Sequence, residues 1–142
     1  MDKNYVLDTS AIFTYTKEEK GVDTVEDILR AAKKNKCIIY LSFATLMELY
    51  YVTWRARNEE SAKELIVLID SLPIQKVQSN EHLTLVAGRI KANHRLSIVD
   101  AFIVATALEK KAILVHKDPE LKFMNQYGEV LELPYKGLRL KK

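Results

Sequence analysis

One cysteine, four glycines and three prolines are all that the 142 residues contain of those types, and each scarcity removes a class of protein. With Cys37 alone, no internal disulfide can form, and no set of Cys and His has zinc-ligand spacing. Cys37 lies in an apolar run, residues 37–41, so it reads as a buried, inert thiol in a reducing compartment, the cytoplasm. The few glycines include no G-x-G-x-x-G fingerprint, P-loop or G-x-S-x-G elbow, and the dinucleotide-binding and serine-hydrolase readings lose their central support. There is no Pro/Gly-rich linker, repeat or low-complexity stretch, so residues 1–142 read as one domain.

Long apolar runs are also missing. The longest uncharged stretch, residues 37–47, falls short of the roughly 20 residues a helix needs to cross a bilayer. Three apolar residues before Asp8 are too few for a signal-peptide core. The expectation is a chain that is neither membrane-spanning nor secreted.

What is present is 48% hydrophobic and 29% charged residues, enough for an ordinary core. Strand-like segments recur at residues 5–7, 37–41, 74–77, 112–115 and 130–133, with helical periodicity between them. That alternation predicts an α/β fold, a parallel sheet wrapped by helices. Val22, Val25, Ile28, Leu29 and Ala32 form one helical stripe, which Asp23 could cap. A longer helix is expected from about Phe43 to Arg57, and another from Glu59 that Pro73 stops. Further stripes run through Leu83, Val86, Ala87 and Ile90, and through Ile98, Ala101, Phe102, Ala105 and Leu108. The tail from about residue 136 is short and basic.

Four carboxylates, Asp8, Glu48, Asp100 and Asp118, fall where a strand-like run has ended or a helix is starting. Each has a structural explanation when taken singly. Asp8 can cap a following helix, and Thr45 to Glu48 and Ser97 to Asp100 both have capping-box spacing. Asp118-Pro119 reads as a cap followed by proline in the first turn. Their conjunction changes the weight, because four such starts on one sheet edge would bring four negative charges together. A divalent cation offsets that repulsion, and an all-oxygen donor set selects Mg²⁺ or Mn²⁺. Twenty-two Lys and Arg against nineteen Asp and Glu give a net charge of +3. Setting the four aside leaves fifteen acids and a remainder of +7, compatible with a polyanionic substrate and equally with simple solubility. His82 and His94 read as solvated, whereas His116, two residues before Asp118, is a candidate to meet substrate.

Residues 6–11 (VLDTSA), 45–49 (TLMEL) and 96–101 (LSIVDA), with the continuation to Thr106 and Ala107, resemble the motifs of the PIN domain family, in particular VapC-type toxin ribonucleases. The likeness spans nearly the whole chain. Its fourth motif departs from the pattern, since residues 116–121 (HKDPEL) place histidine where the family usually has threonine. The resemblance implies a three-layer α/β/α sandwich with a five-stranded parallel sheet in the order 3-2-1-4-5. It implies that Asp8, Glu48, Asp100 and Asp118 hold the metal and carry catalysis, with Thr9, Ser10, Ser97, His116 and Glu120 as auxiliary candidates. It further implies a Mg²⁺- or Mn²⁺-dependent endoribonuclease that leaves a 5′ phosphate and a 3′ hydroxyl, with one or two ions. A homodimer and a VapB-like antitoxin follow from it as partners.

Lys17, Lys20, Arg55, Arg57, Arg89, Lys91 and Arg95 are candidate phosphate contacts, each also readable as an ordinary surface charge. Tyr15, Tyr50, Tyr51 and Trp54 could stack bases. Met47, Tyr50, Tyr51 and Trp54 nevertheless follow helical spacing, which favours core or subunit contact. The alternatives to a toxin are a non-catalytic PIN-like module that binds RNA or protein and a housekeeping RNA-processing nuclease. A phosphorylation receiver shares the acidic sheet edge but needs a neighbouring acidic pair after the first strand, which this chain lacks.

Overall fold

The computed structural model describes residues 3–134, and the basic tail lies outside them. Five strands, β1 (Lys3–Leu7), β2 (Cys37–Ser42), β3 (Ile74–Val77), β4 (Ile113–His116) and β5 (Val130–Glu132), form one sheet in the order β3-β2-β1-β4-β5. Every pairing is parallel. The helices between them are α1 (Thr9–Thr16), α2 (Val22–Lys33), α3 (Phe43–Ala56), α4 (Glu59–Ser71), α5 (Glu81–Asn93) and α6 (Ile98–Lys110), and Pro119–Gln126 is a 3-10 helix.

Strand alternation sends neighbouring side chains to opposite faces and builds two cores. Leu7 and Val115 face α1 to α4, packing with Ile12, Ile28, Leu49 and Ile69. Val6 and Leu114 face the other layer, with Leu83 and Ile90 of α5, Ile103 of α6, and Leu121 and Met124 of the 3-10 helix. The three-layer architecture and strand order match the expectation. Cys37 is buried in the first core as a free thiol. No helix among the described residues is long and apolar enough to cross a membrane.

Local signals acted with a few corrections. Asp8, Asn58, Asn80 and Ser97 each cap a helix by accepting a backbone N–H two or three residues into it. Pro73 follows the end of α4, as its missing N–H requires. Asp23 does not cap α2: Gly21 does, with φ +100°, a left-handed conformation that glycine adopts without strain. The Thr45 to Glu48 spacing is not a capping box either. Strand β2 passes straight into α3, Ser42 is the cap, and Thr45 lies within the helix with its buried hydroxyl unpartnered among the described residues.

Candidate active site

In a 3-2-1-4-5 sheet the chain reverses its direction of winding between β1 and β4, which opens a crevice at the carboxyl ends of those two strands. Asp8 immediately follows β1 and Asp118 follows β4 after one intervening residue, so both stand at that crevice. The backbone N–H of Asp8 donates to the Val115 carbonyl at 3.1 Å, stitching the two strand ends together. Asp100 is the third residue of α6, and its N–H donates to the Ser97 hydroxyl at 3.1 Å. Glu48 sits one and a half turns into α3, not at its start, and accepts from the Thr9 hydroxyl.

Carboxylate oxygens of Asp100, Asp118 and Glu120 all lie within 4.8 Å of one another. Asp8 and Glu48 border this group electrostatically. Burial pushes Asp8 up to about 7 against the pull of its Ser10 and Ala11 hydrogen bonds, and the charges of Asp100 and Asp118 add to the rise. Burial likewise raises Asp100 to about 6, with Asp118, Glu48 and Glu120 adding repulsion and the Ser97 hydrogen bond opposing it. Five carboxyl groups drawn from four segments therefore share one field. Oxygen-only donors, convergence and ionisation made costly by burial and like charge all fit a hard divalent cation.

Hydroxyl groups order the site. Ser10 Oγ donates to Asp8 Oδ1 at 2.7 Å and accepts the Lys117 backbone N–H at 2.9 Å. Ala11 N–H donates to the same Asp8 oxygen at 2.8 Å. Asp118 caps the 3-10 helix through the Glu120 N–H at 2.9 Å, with Pro119 in its first turn, which brings Glu120 beside it. Thr9, Ser10, Ser97 and Glu120 thus each touch or adjoin one of the four acids.

The exception is His116. The sequence makes it a candidate to meet substrate, but its side chain is fully buried, because the pleat of β4 turns it to the same face as Leu114. Its Nδ1 accepts the Asp118 backbone N–H at 3.0 Å. Burial lowers its pKa, while Glu132 and Asp118 pull the other way. Sequence reasoning missed Lys117, which looks like an ordinary surface lysine between His116 and Asp118. Its ammonium is buried, donating to Glu19 Oε1 at 3.2 Å and to the Lys20 carbonyl at 3.0 Å, and so tethers the loop between α1 and α2. Nothing in local sequence marks that reach, which spans 98 positions to Glu19.

The candidate phosphate and stacking residues divide. Lys17 lies over the Phe13 ring and Arg55 over that of Tyr51, and Lys91 donates to the Leu96 carbonyl. Met47, Tyr51 and Trp54 are exposed, so the core reading of that stripe fails: Ala44, Thr45 and Leu49 are the residues of α3 that are buried. His94, read as solvated, is partly buried, stacked on Phe123 with ring centroids 4.1 Å apart and bonded through Nε2 to the Tyr127 hydroxyl.

A PIN domain family model matches residues 5–125, which include every acid of this cluster. The chain belongs to the PIN domain family. Solved structures agree on the fold of this PIN domain. VapBC2 from Rickettsia felis, bound to a DNA fragment from its promoter, has 17% identity and a TM-score of 0.72 over 92% of this chain and 99% of that one. DNA-bound VapBC from Salmonella typhimurium has 16% identity and a TM-score of 0.71, over 92% and 98%. Mycobacterium tuberculosis VapC20, described as a Sarcin-Ricin loop cleaving toxin, has 17% identity and a TM-score of 0.67, over 92% and 99%. None of the curated proteins matches this PIN domain chain.

Proposed function

We propose that this PIN domain is a Mg²⁺- or Mn²⁺-dependent endoribonuclease, the toxin of a VapBC-type pair, acting in the cytoplasm. The observation that carries the reading is the convergence of Asp100, Asp118 and Glu120 oxygens within 4.8 Å beside the buried carboxyl of Asp8. Asp8, Glu48, Asp100 and Asp118 would hold the ion, with Glu120 as a further donor. When bound, a divalent cation there polarises a phosphodiester and lowers the pKa of a coordinated water.

The chain's own residues supply placement. Ser10 and the Ala11 N–H both hold Asp8 Oδ1, which fixes this carboxyl group where the charges of Asp100 and Asp118 reach it. Ser97 anchors the start of α6 and with it Asp100, and Thr9 orients Glu48. In the metal-free protein Asp8 and Asp100 keep their protons up to about pH 7 and 6, so a cation must displace them and metal affinity should rise with pH over that range. Surface cations such as Lys17 and Arg57, which line one cleft between α1, α3 and α4, suit the backbone of a single-stranded polyanion.

The toxin role draws on the VapBC complexes among the similar folds. A VapB-like antitoxin and a second copy of the chain are both partners that the exposed apolar residues Met47, Tyr51 and Trp54 of α3 and Val67 and Leu68 of α4 could serve.

Purified protein should cleave RNA in Mg²⁺ or Mn²⁺, stop in chelator, and lose activity on Asp8→Asn or Asp100→Asn. Cleavage that persists in chelator and in both variants would overturn the proposal. RNA binding without turnover in either metal would favour a non-catalytic binding module instead.

A further inference from the structure

Three consecutive residues at the end of β4 point in three directions, and each does separate work. His116 turns inward, to the face that Leu114 shares, and is completely buried, with Glu132, Asp118 and Lys122 near enough to act on it electrostatically. Its carbonyl accepts the Leu133 N–H at 2.7 Å, which continues the sheet toward β5. Lys117 turns to the opposite layer and holds Ser10 through its backbone N–H. Asp118 emerges at the crevice and caps the 3-10 helix.

The imidazole of His116 makes one side-chain hydrogen bond among the described residues, and it is the one from the Asp118 N–H at 3.0 Å. Since Nδ1 is the acceptor, the proton of a neutral ring sits on Nε2, which is buried with no partner among the described residues. A buried polar group left unsatisfied is unfavourable and calls for an explanation. The ring's own hydrogen bonding does not supply one, but its effect on Asp118 does.

Asp118 is gripped from two sides. The Glu120 N–H holds its Oδ1 at 2.9 Å, and His116 holds its backbone N–H. Together these set both where the residue's main chain stands and where its carboxylate points. The second grip matters because Asp118 belongs to the group of oxygens gathered within 4.8 Å, and it is the acid whose charge bears on both Asp8 and Asp100.

We propose that His116 is a positioning residue, a buried acceptor that fixes the Asp118 main chain and thereby the spacing of the Asp100, Asp118 and Glu120 oxygens. It contacts neither substrate nor the reacting atoms. The proposal rests on the reading of these acids as a metal site.

The test uses the full chain, with Mn²⁺ alone as the first probe, in isothermal titration calorimetry. His116→Leu removes the acceptor and should weaken Mn²⁺ binding by about 10- to 100-fold, the usual effect of losing a group that orients a ligand. His116→Asn, whose Oδ1 can occupy the place of Nδ1, should recover most of that loss. With RNA, kcat should fall in the leucine variant while KM holds. In the wild-type protein, the Asp118 amide should be protected from hydrogen exchange.

Wild-type Mn²⁺ affinity in a folded leucine variant would overturn the proposal. So would an asparagine variant that is folded yet no better than leucine. If the leucine variant fails to fold, exchange in the wild-type protein decides: a fast-exchanging Asp118 amide overturns the proposal and a protected one supports it. Mn²⁺ binding that depends on His116 in a protein that cleaves no RNA would sink the nuclease reading and leave this one standing.

Discussion

Thr9 and Glu48, 39 residues apart, are joined by a hydrogen bond from the threonine hydroxyl to Glu48 Oε1. The bond links the first turn of α1 to the middle of α3, and so fixes one acid from the neighbouring layer element rather than from its own helix. A partner of this kind orients a ligand without touching the ion. Thr9→Val keeps the shape and removes the donor, and should lower Mn²⁺ affinity by about 10- to 100-fold. Thr9→Ser should stay close to the parent. Calorimetry with Mn²⁺ reads both, and equal affinity for parent and valine variant would show that Glu48 needs no such anchor.

Asp8 carries a pH prediction with a definite sign. Its folded value near 7 lies above the ordinary 3.8, so between about pH 4 and 7 the folded protein keeps a proton that the unfolded chain has lost. Metal-free stability should therefore fall as pH rises through that window, and the full loss is reached above 7. Asp8→Asn cannot ionise, yet its Oδ1 can still accept from Ser10 and Ala11. At pH 8 in chelator the variant should be more stable than the parent by on the order of 4 kcal/mol, since each pKa unit corresponds to about 1.4 kcal/mol. At pH 4 the two should melt together. Adding Mn²⁺ at pH 8 should reverse the order, because only the parent retains the anionic donor. Thermal melts across pH with and without Mn²⁺ check each point, and a constant difference at all pH values would refute the burial argument.

Much of this was readable in the chain because the governing signals were local. Alternating strand-like and helical segments gave the parallel sheet, and Asp8, Ser97 and Asp118 act as caps where their positions said they could. What escaped depends on tertiary direction. The stripe through Met47, Tyr51 and Trp54 has helical spacing, but periodicity does not tell which of two apolar faces of α3 meets the sheet, and the structure turns Ala44, Thr45 and Leu49 inward. The inward aim of His116 follows from its pleat position in β4, which extends one residue further than the apolar run ending at Val115. Lys117 pairs with Glu19 only because β4 ends beside the loop after α1.

Gly21 makes a stability prediction independent of metal. Its φ of +100° lies in the left-handed region, and a Cβ there would come within 3.0 Å of Pro134 Cδ and 3.5 Å of Leu133. Both strain and crowding oppose a side chain at the start of α2. Gly21→Ala should lose about 2 kcal/mol, in the range for a residue forced into a sparsely populated conformation. Urea unfolding at fixed pH measures it, and a loss below about 0.5 kcal/mol, typical of a neutral surface change, would show that the turn relaxes freely.

Lys117 carries the last prediction. Its side chain is 7% exposed and that of Glu19 11%, so their 3.2 Å contact is shielded from solvent on both sides. The ammonium also donates to the Lys20 carbonyl, one residue before Gly21. Lys117→Met keeps the aliphatic stem and the backbone N–H that holds Ser10, but removes the cation from a buried carboxylate and a donor from the Lys20 carbonyl. Breaking one side of a buried pair typically costs about 3 to 5 kcal/mol; this pair is not wholly sealed and Glu19 keeps a further interaction, so a loss of about 2 kcal/mol is expected in urea unfolding. Asp8 should be unaffected, because its link to the strand end runs through Ser10 and main chain only. Mn²⁺ affinity in the folded variant should therefore stay near that of the parent. A variant that keeps full stability would show the ion pair to be incidental. One that keeps stability but loses Mn²⁺ would mean that the ammonium, and not the main chain of residue 117, orders the first acid.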